Sequence, residues 1–316
     1  MRVLRELPAW PVPCVAAVGN FDGVHLGHRA LLSGALDQAR ARGVEAWAVS
    51  FEPHPARILQ PAAAPLLLTP VEEKIRLLAA CGLDALLLLP FTRDLSLLSP
   101  LEFVEQILVR GLRVEAVWEG ENFRFGHRGQ GSGERLRQLG AEFGFAVTIL
   151  PRLELEGAPV SSSRLRAQIR AGEVVAAARL LGRAFRIAGL IAPGRGVGHQ
   201  RTVPTLNLQH YDELLPGRGV YLTRVTLAAA TYPALTNVGV RPTFGEGGPL
   251  TVESHLLHPP DGGVAAGLGD PIAIDFLDRL RDERKFESPE DLRSQIQQDI
   301  AAADKYFADG RSPGLR

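Results

Sequence analysis

The sequence predicts two units in series: an α/β unit with a parallel sheet, then a six-stranded antiparallel β-barrel with a terminal helix. Three observations lead there. The chain has 316 residues, more than one hydrophobic core usually organises. From residue 14 to about 150, short apolar runs alternate with amphipathic helical stretches, the pattern of a parallel sheet with helices on both faces. Beyond Gly182 the pattern changes to short strand-like runs between Gly/Pro-rich turns, with one long helix at the end.

In the first half, CVAAV (14–18), VEAWAVSF (44–51), DALLLL (84–89), VEAVW (114–118) and FAVTIL (145–150) read as strands. Helix signals lie between them. Thr69-Pro70 offers an N-cap and a proline at the first helical position, and Ser99-Pro100 does the same, with Glu102 completing a capping box. Gly43 and Gly111 stand where helices should end. Two helical stretches follow at 162–171 and 173–181. The second half supplies strands at 185–192, 205–209, 219–227, 235–240, 251–258 and 271–277, then a helix from Ser288-Pro289 to about 307. The change of pattern places the boundary near Gly182, giving domains 1–182 and 183–316.

Charge and composition exclude several function classes. Lys+Arg and Asp+Glu both number 35, so the basic excess of a general nucleic-acid binder is missing, and 6% aromatic residues leave little for base stacking. Cys14 and Cys81 are too few for a disulfide framework, which fits a reducing compartment. The start, MRVLRELPAWPVP, lacks the apolar core of a signal peptide, and the apolar run 83–91 is too short to span a bilayer. A cytoplasmic protein without membrane partners is expected. Lys74, Lys285 and Lys305 are the three lysines; none follows a glycine as in a phosphate loop, and no G-x-G-x-x-G occurs. Any ATP must be held by other means.

The segment GNFDGVHLGHRALL (19–32) leaves the first strand and enters the first long helix. Gly19, Gly23 and Gly27 permit a tight turn, and His25 and His28 stand at a helix mouth whose free N–H groups favour anions. Such a site suits phosphate chemistry, in which imidazolium groups stabilise developing charge without lysine. Two other readings compete. An H-x-x-H pair with His54 of FEPHP (51–55) could begin a zinc site, although the prolines fit a rigid loop better. A purely structural role is disfavoured because histidine has no capping advantage over serine or aspartate.

The strand followed by G-x-F-D-x-x-H-x-G-H resembles the H-x-G-H signature of the nucleotidyltransferases. With FEPHP it is similar to the FMN adenylyltransferase module of prokaryotic bifunctional riboflavin kinase/FAD synthetases. LPFTRDLSLLSPLEFVEQIL (89–108), GENFRFG (120–126) and VSSSRLR (160–166) stand in the family's order. The resemblance implies a Rossmann-like nucleotidyltransferase domain. In it His25 and His28 stabilise the α-phosphate of ATP, and Ser162 and Arg166 hold the leaving pyrophosphate. Asn122 orients the phosphates near the flavin, while Gly19, Asn20, Phe21 and Asp22 shape the nucleotide-binding turn. The nucleophile is the FMN phosphate, already anionic, so no general base is needed.

Phosphorylating a vitamin alcohol is a different task, helped by a base and by metal neutralisation of the γ-phosphate. Thr205 and Asn207 in PTLNL lie two apart on a strand and face one side, where two neutral oxygens could hold magnesium. Glu253 lies in the apolar run TVESHLLH and, by itself, could equally mark a solvated strand face. GRGVGHQRTVPTLNL (194–208), GVYL (219–222), NVGVRPTF (237–244), VESHLL (252–257) and LRDERKF (280–286) follow the order of the riboflavin kinase module of the same family. That resemblance implies Mg2+–ATP bound by Thr205 and Asn207, Glu253 as catalytic base, Gly198 in the nucleotide loop and Arg281 at the flavin. The loop departs from the family pattern G-R-x-x-G-F-P-T-A-N: His199 replaces the arginine and Thr202 a glycine. The implied partners are riboflavin, FMN, FAD and ATP. Two alternatives stay open: an FMN adenylyltransferase alone with a degenerate flavin-binding barrel, and a non-enzymatic barrel that binds nucleic acid or protein.

Overall fold

The structure is a computed structural model, and it describes residues 1–193, 205–228, 230–240, 250–260, 264 and 266–310. Two compact units divide the chain, Met1–Ser162 and Ser163–Arg316.

In the first unit, strands β1 (Arg2–Leu4), β2 (Cys14–Val18), β3 (Glu45–Glu52), β4 (Ala85–Pro90), β5 (Val114–Gly120) and β6 (Ala146–Leu150) form one sheet in the order β1-β4-β3-β2-β5-β6. Every pairing is parallel. The five expected strands are present, and β1 is a sixth. It adds three mostly exposed residues to the edge of β4, too few to show a periodicity. Helices α1 (Leu26–Arg42), α2 (Pro55–Leu59), α3 (Val71–Ala79), α4 (Arg93–Leu97), α5 (Pro100–Phe103) and α6 (Gly133–Phe143) connect the strands, and a minor hairpin, β7 (Glu154–Leu155) with β8 (Ala158–Pro159), follows.

The sheet is buried on both faces, which explains its continuous apolar strands. Val15, Ala17, Ala46 and Ala48 face Leu31, Leu32, Ala35 and Ala39 of α1. Ala16, Val18, Val49 and Leu87 face Phe103, Leu108, Leu136 and Leu139. At Gly34 α1 comes so close to the Trp118 ring that a Cβ would collide with it.

Several boundary signals act as expected. Gly43 ends α1 in the left-handed region at φ 68°, and Ser99 and Glu102 form the capping box of α5. Two do not. Thr69 is no cap, since the N-cap of α3 is Pro70 and the Thr69 hydroxyl is used elsewhere. Gly111 ends a π-helical continuation of α5, Val104–Gly111, where it packs on Leu7, and the cap residue is Leu112.

The second unit contains the remainder of α7 (Ser162–Ala171) and α8 (Val174–Leu181), then β9 (Phe185–Ala192), β10 (Thr205–Leu208), β11 (Gly219–Leu227), β12 (Ala230–Val240), β13 (Leu250–Leu256), β14 (Pro271–Arg281) and α9 (Pro289–Ala308). The six strands close into an antiparallel barrel in the order β10-β13-β12-β11-β14-β9. Inside it, the buried hydroxyls of Thr223, Thr236 and Ser254 form a ladder with spacings of 2.7 and 2.8 Å, so no polar atom in that row is wasted. Outside, Ala303 and Tyr306 of α9 cover Val220, Leu222 and Leu235. β12 begins five residues before its expected start because Pro233, which reads as a strand breaker, pairs with Arg224.

One buried group gives a stability prediction for the first unit. Glu119 is fully buried at the end of β5, and neither carboxylate oxygen has a hydrogen-bond partner among the described residues. Burial pushes its pKa up to about 8, and the nearby Arg137 and Arg124 offset only part of that. The folded state therefore holds a proton that the unfolded state releases near the ordinary value of 4.5. Stability must fall as pH rises between these two values and level off above them. Glu119→Gln removes this slope. Relative to wild type, the variant should gain about 2 kcal/mol or more in going from pH 5 to pH 8, at ~1.4 kcal/mol per pKa unit. Urea unfolding followed by tryptophan fluorescence reads it, since all three tryptophans, Trp10, Trp47 and Trp118, lie in this unit. A pH-independent difference between the two proteins would contradict the assignment.

Candidate functional site

In the first unit the chain runs from β2 through β3 to β4 on one side of the sheet, then crosses to β5 on the other. β2 and β5 are neighbours, so the loops at their carboxyl ends open at the switch point where ligands of such sheets bind. Those loops carry residues 19–25 and 121–126.

The turn after β2 is strained and tightly held. Phe21 and Val24 have φ of 50° and 39°, left-handed values that cost a non-glycine residue about 1–3 kcal/mol each. Surrounding contacts over-determine the conformation. The Phe21 ring is fully buried, and Gly19 N–H donates to Val49 O at 3.0 Å. The Asn20 carbonyl accepts from Ser50 Oγ at 3.1 Å and lies 3.5 Å from Lys74 Nζ. Asp22 is buried, and its carboxylate accepts from Leu68 N (2.9 Å), Thr69 N (3.2 Å) and Thr69 Oγ1 (3.3 Å). Thr69 Oγ1 in turn accepts from Gly23 N at 3.2 Å. Asp22 is thus a brace that ties the turn to the segment before α3.

His25 and His28 are stacked, with ring centroids 3.6 Å apart, and the Phe21 ring meets His28 edge-on at 5.4 Å. Here the structure corrects the expectation about capping. His25 is the N-cap of α1, and its Nδ1 accepts from His28 N at 3.2 Å. That bond puts the His25 proton on Nε2. A Cβ at Gly27 would lie 3.2 Å from the His25 ring, so any larger residue there would press on that ring. His54 is likewise a cap, for α2, through Ala56 N at 3.2 Å. Among the described residues no group of three or more His, Cys, Asp or Glu side chains could hold a metal.

Ser162 Oγ donates to Asp22 O at 2.9 Å, which joins the start of the S-S-S-R segment to the turn. Arg166 is buried in α7 and belongs to the second unit. Asn122 is exposed after β5, and its Oδ1 accepts from Arg152, which also pairs with Glu121 at 2.8 Å. Lys74 and Ser50, both buried, were not among the residues singled out by motif. A signal for Lys74 does exist: it shares the buried stripe of α3 with Leu77 and Leu78 at i+3 and i+4, an odd place for a cation.

On the barrel, strand register aligns the second set. Asn207 of β10 and Asn237 of β12 both pair with Glu253 of β13, one from each side. Directly opposed residues share a face, so these three form a row with the carboxylate in the middle. Ser254 points into the barrel and the half-exposed Glu253 points out. Thr205 lies two residues from Asn207 on the same face, opposite His255. Asn237, within the NVGV segment, is the member of the row that motif reading did not assign.

Arg281 ends β14 with its guanidinium committed to Asp299 of α9, at 3.0 Å from Nε and 2.7 Å from Nη2. Its first role is to tie helix to barrel. Beside it, a cavity of about 300 Å³ lies between residues 284–287 and α9, lined by Arg284, Phe286, Ser294 and Gln295 among others. The Arg284 guanidinium stacks 4.8 Å from the Phe286 ring centre. Gly198 and the altered loop positions His199 to Val203 lie outside the described residues.

Comparison with known proteins matches both units. The FAD synthetase family model matches residues 8–164 and the riboflavin kinase model residues 181–307. A bifunctional riboflavin kinase/FMN adenylyltransferase of Pseudomonas fluorescens is 38% identical over 96% of both chains. That of Escherichia coli K12 is 35% identical over 93% of both. A Streptococcus pneumoniae structure described as a macrolide-efflux protein shares the fold, with a TM-score of 0.82 at 27% identity, covering 96% of this chain and 98% of its own. Among the described residues, no helix of the present chain is long and apolar enough to cross a membrane. With both family models matched in order and relatives aligned nearly end to end, the chain belongs to the bifunctional riboflavin kinase/FMN adenylyltransferase family.

Proposed function

We propose that the chain makes FAD from riboflavin in two ATP-dependent steps, with adenylylation assigned to residues 1–182 and phosphorylation to 183–316. The observation that carries this reading is the contrast between the two sites. One is a helix mouth furnished with histidines and main-chain donors; the other is a carboxylate flanked by side-chain amides on a strand face.

In the barrel, Glu253 accepts the proton of the primary alcohol of riboflavin as its oxygen bonds to the γ-phosphorus of ATP. The bond to the β-phosphate oxygen breaks, and FMN and ADP leave. Asn207 and Asn237 flank Glu253 in the strand register, one from each side. Thr205 and Asn207, which offer two neutral oxygens on one face, would hold a magnesium ion. Bound there, it would neutralise charge on the transferring phosphoryl group.

At the β2–α1 turn, a phosphate oxygen of FMN attacks the α-phosphorus of ATP, and pyrophosphate departs with the electron pair of the broken bond. No proton has to be removed, so donors and positive charge suffice. His25 and His28 act on the α-phosphate, Ser162 and Arg166 on the leaving group, Asn122 on the phosphate orientation, and the backbone of Gly19 to Asp22 cradles the nucleotide. Gly198 serves the kinase nucleotide and Arg281 the flavin side of the barrel. Both steps are placed in the cytoplasm, which two unbridged cysteines support. The adenylyltransferase-only alternative is not favoured, because the Asn207–Glu253–Asn237 row is intact and the riboflavin kinase model matches the second unit.

Two variants separate the activities. His28→Ala should lower FMN adenylylation about a hundredfold or more by removing one transition-state donor. Starting from riboflavin, FMN should then accumulate on a product chromatogram; unimpaired FAD formation would refute this role for His28. Glu253→Gln preserves shape and removes basicity, so riboflavin phosphorylation should fall about a hundredfold to ten-thousandfold. Conversion of supplied FMN to FAD should stay at the wild-type rate. Near-normal FMN formation by this variant would show that the base lies elsewhere.

A further inference from the structure

Building on the assignment of adenylylation to the β2–α1 turn, we propose that Lys74 and Ser50 are positioning residues for that reaction. They lock the Asn20–Phe21 peptide so that the Phe21 N–H is presented to the nucleotide phosphates. The Asn20 carbonyl has both as neighbours, Ser50 Oγ at 3.1 Å and Lys74 Nζ at 3.5 Å. Both are buried, Ser50 completely. In a planar trans peptide the C=O and the N–H point in opposite directions, so holding the carbonyl inward turns the next N–H outward. Among the described residues the Phe21 N–H donates to no protein acceptor.

Backbone strain explains why such a lock is needed. Phe21 has φ 50°, and rotating the Asn20–Phe21 peptide by half a turn would bring it back to an ordinary extended value. The same rotation would replace an outward N–H with an outward carbonyl oxygen, which repels phosphate. Relief of strain therefore favours the inactive arrangement, and two donors on the carbonyl oppose it. A lysine does this better than a neutral donor because a charged donor makes the stronger hydrogen bond. Desolvation lowers the Lys74 pKa, while Glu52, 3.9 Å away, and Asp22 act to keep the ammonium charged. A cation on the apolar stripe of α3, next to Leu77 and Leu78, is unexpected for packing alone.

The test uses the full chain, which carries its own control in the riboflavin kinase reaction. Lys74→Met keeps the apolar stem and removes the ammonium. Its adenylylation kcat should fall about tenfold to a hundredfold, the scale of a displaced binding group, with KM for FMN within twofold. The kinase rate and the fluorescence of Trp47 and Trp118 should stay native. Ser50→Ala should lower the same kcat severalfold. Because both act on one carbonyl, the double variant should lose less than the product of the single losses. Lys74→Met with kcat within twofold of wild type overturns the proposal, as do single losses that multiply. If Lys74→Met does not fold, Ser50→Ala decides alone, and an unchanged kcat there overturns it. Failure of the underlying assignment is distinguishable, since His28→Ala would then leave adenylylation intact.

Discussion

A carboxylate taken out of water must be met by hydrogen-bond donors, and in this chain Asp22 meets that demand with the main chain of a segment 46 residues away. Much of the first unit follows from that brace. It holds Leu68 and Thr69 against the β2–α1 turn, which brings α3 close enough for Lys74 to reach the Asn20 carbonyl. The Asp22 main chain also receives the Ser162 hydroxyl. A turn with two left-handed non-glycine residues would relax if it stood alone; here buried contacts on several sides keep it at the mouth of α1. Charged hydrogen bonds of this kind contribute roughly 1.5–3 kcal/mol each, enough to outweigh the strain.

The barrel solves its problem by register. Antiparallel pairing fixes which side chains oppose one another, so the placement of Glu253 between Asn207 and Asn237 is inherent in the fold. The inner face is sealed by a hydroxyl ladder and apolar side chains, which leaves the outer face for polar chemistry. Part of that outer face is closed by α9, held by apolar packing and by the Arg281–Asp299 pair. One unit thus holds a strained turn at a helix mouth, and the other sets a carboxylate by strand pairing. The two chemistries differ in the same way: an anionic nucleophile needs only charge stabilisation, while an alcohol must lose a proton.

Much of this was legible in the sequence because it is local. Continuous apolar runs mark strands buried on both faces, and the capping box at Ser99 and the left-handed end at Gly43 depend only on nearby residues. The H-x-G-H and S-S-S-R segments could be read as motifs for the same reason. What could not be read depends on contacts across the fold. Thr69 looks like a helix cap until Asp22 claims its hydroxyl, and Lys74 gains meaning only once Asn20 is beside it. His25 illustrates a subtler case: it caps α1 through Nδ1, a role that the general capping preference for serine and aspartate does not announce. Arg281 reads as a flavin ligand in the motif, while its guanidinium is held by an aspartate 18 residues later. β1, three residues on an edge, has too little length to declare itself.

That one chain performs both transfers can be tested by time-resolved product analysis of the intact protein supplied with riboflavin, ATP and magnesium. FMN should appear first and FAD follow, with one ADP and one pyrophosphate released for each FAD formed. Conversion of supplied FMN to FAD without any FMN formed from riboflavin would contradict it.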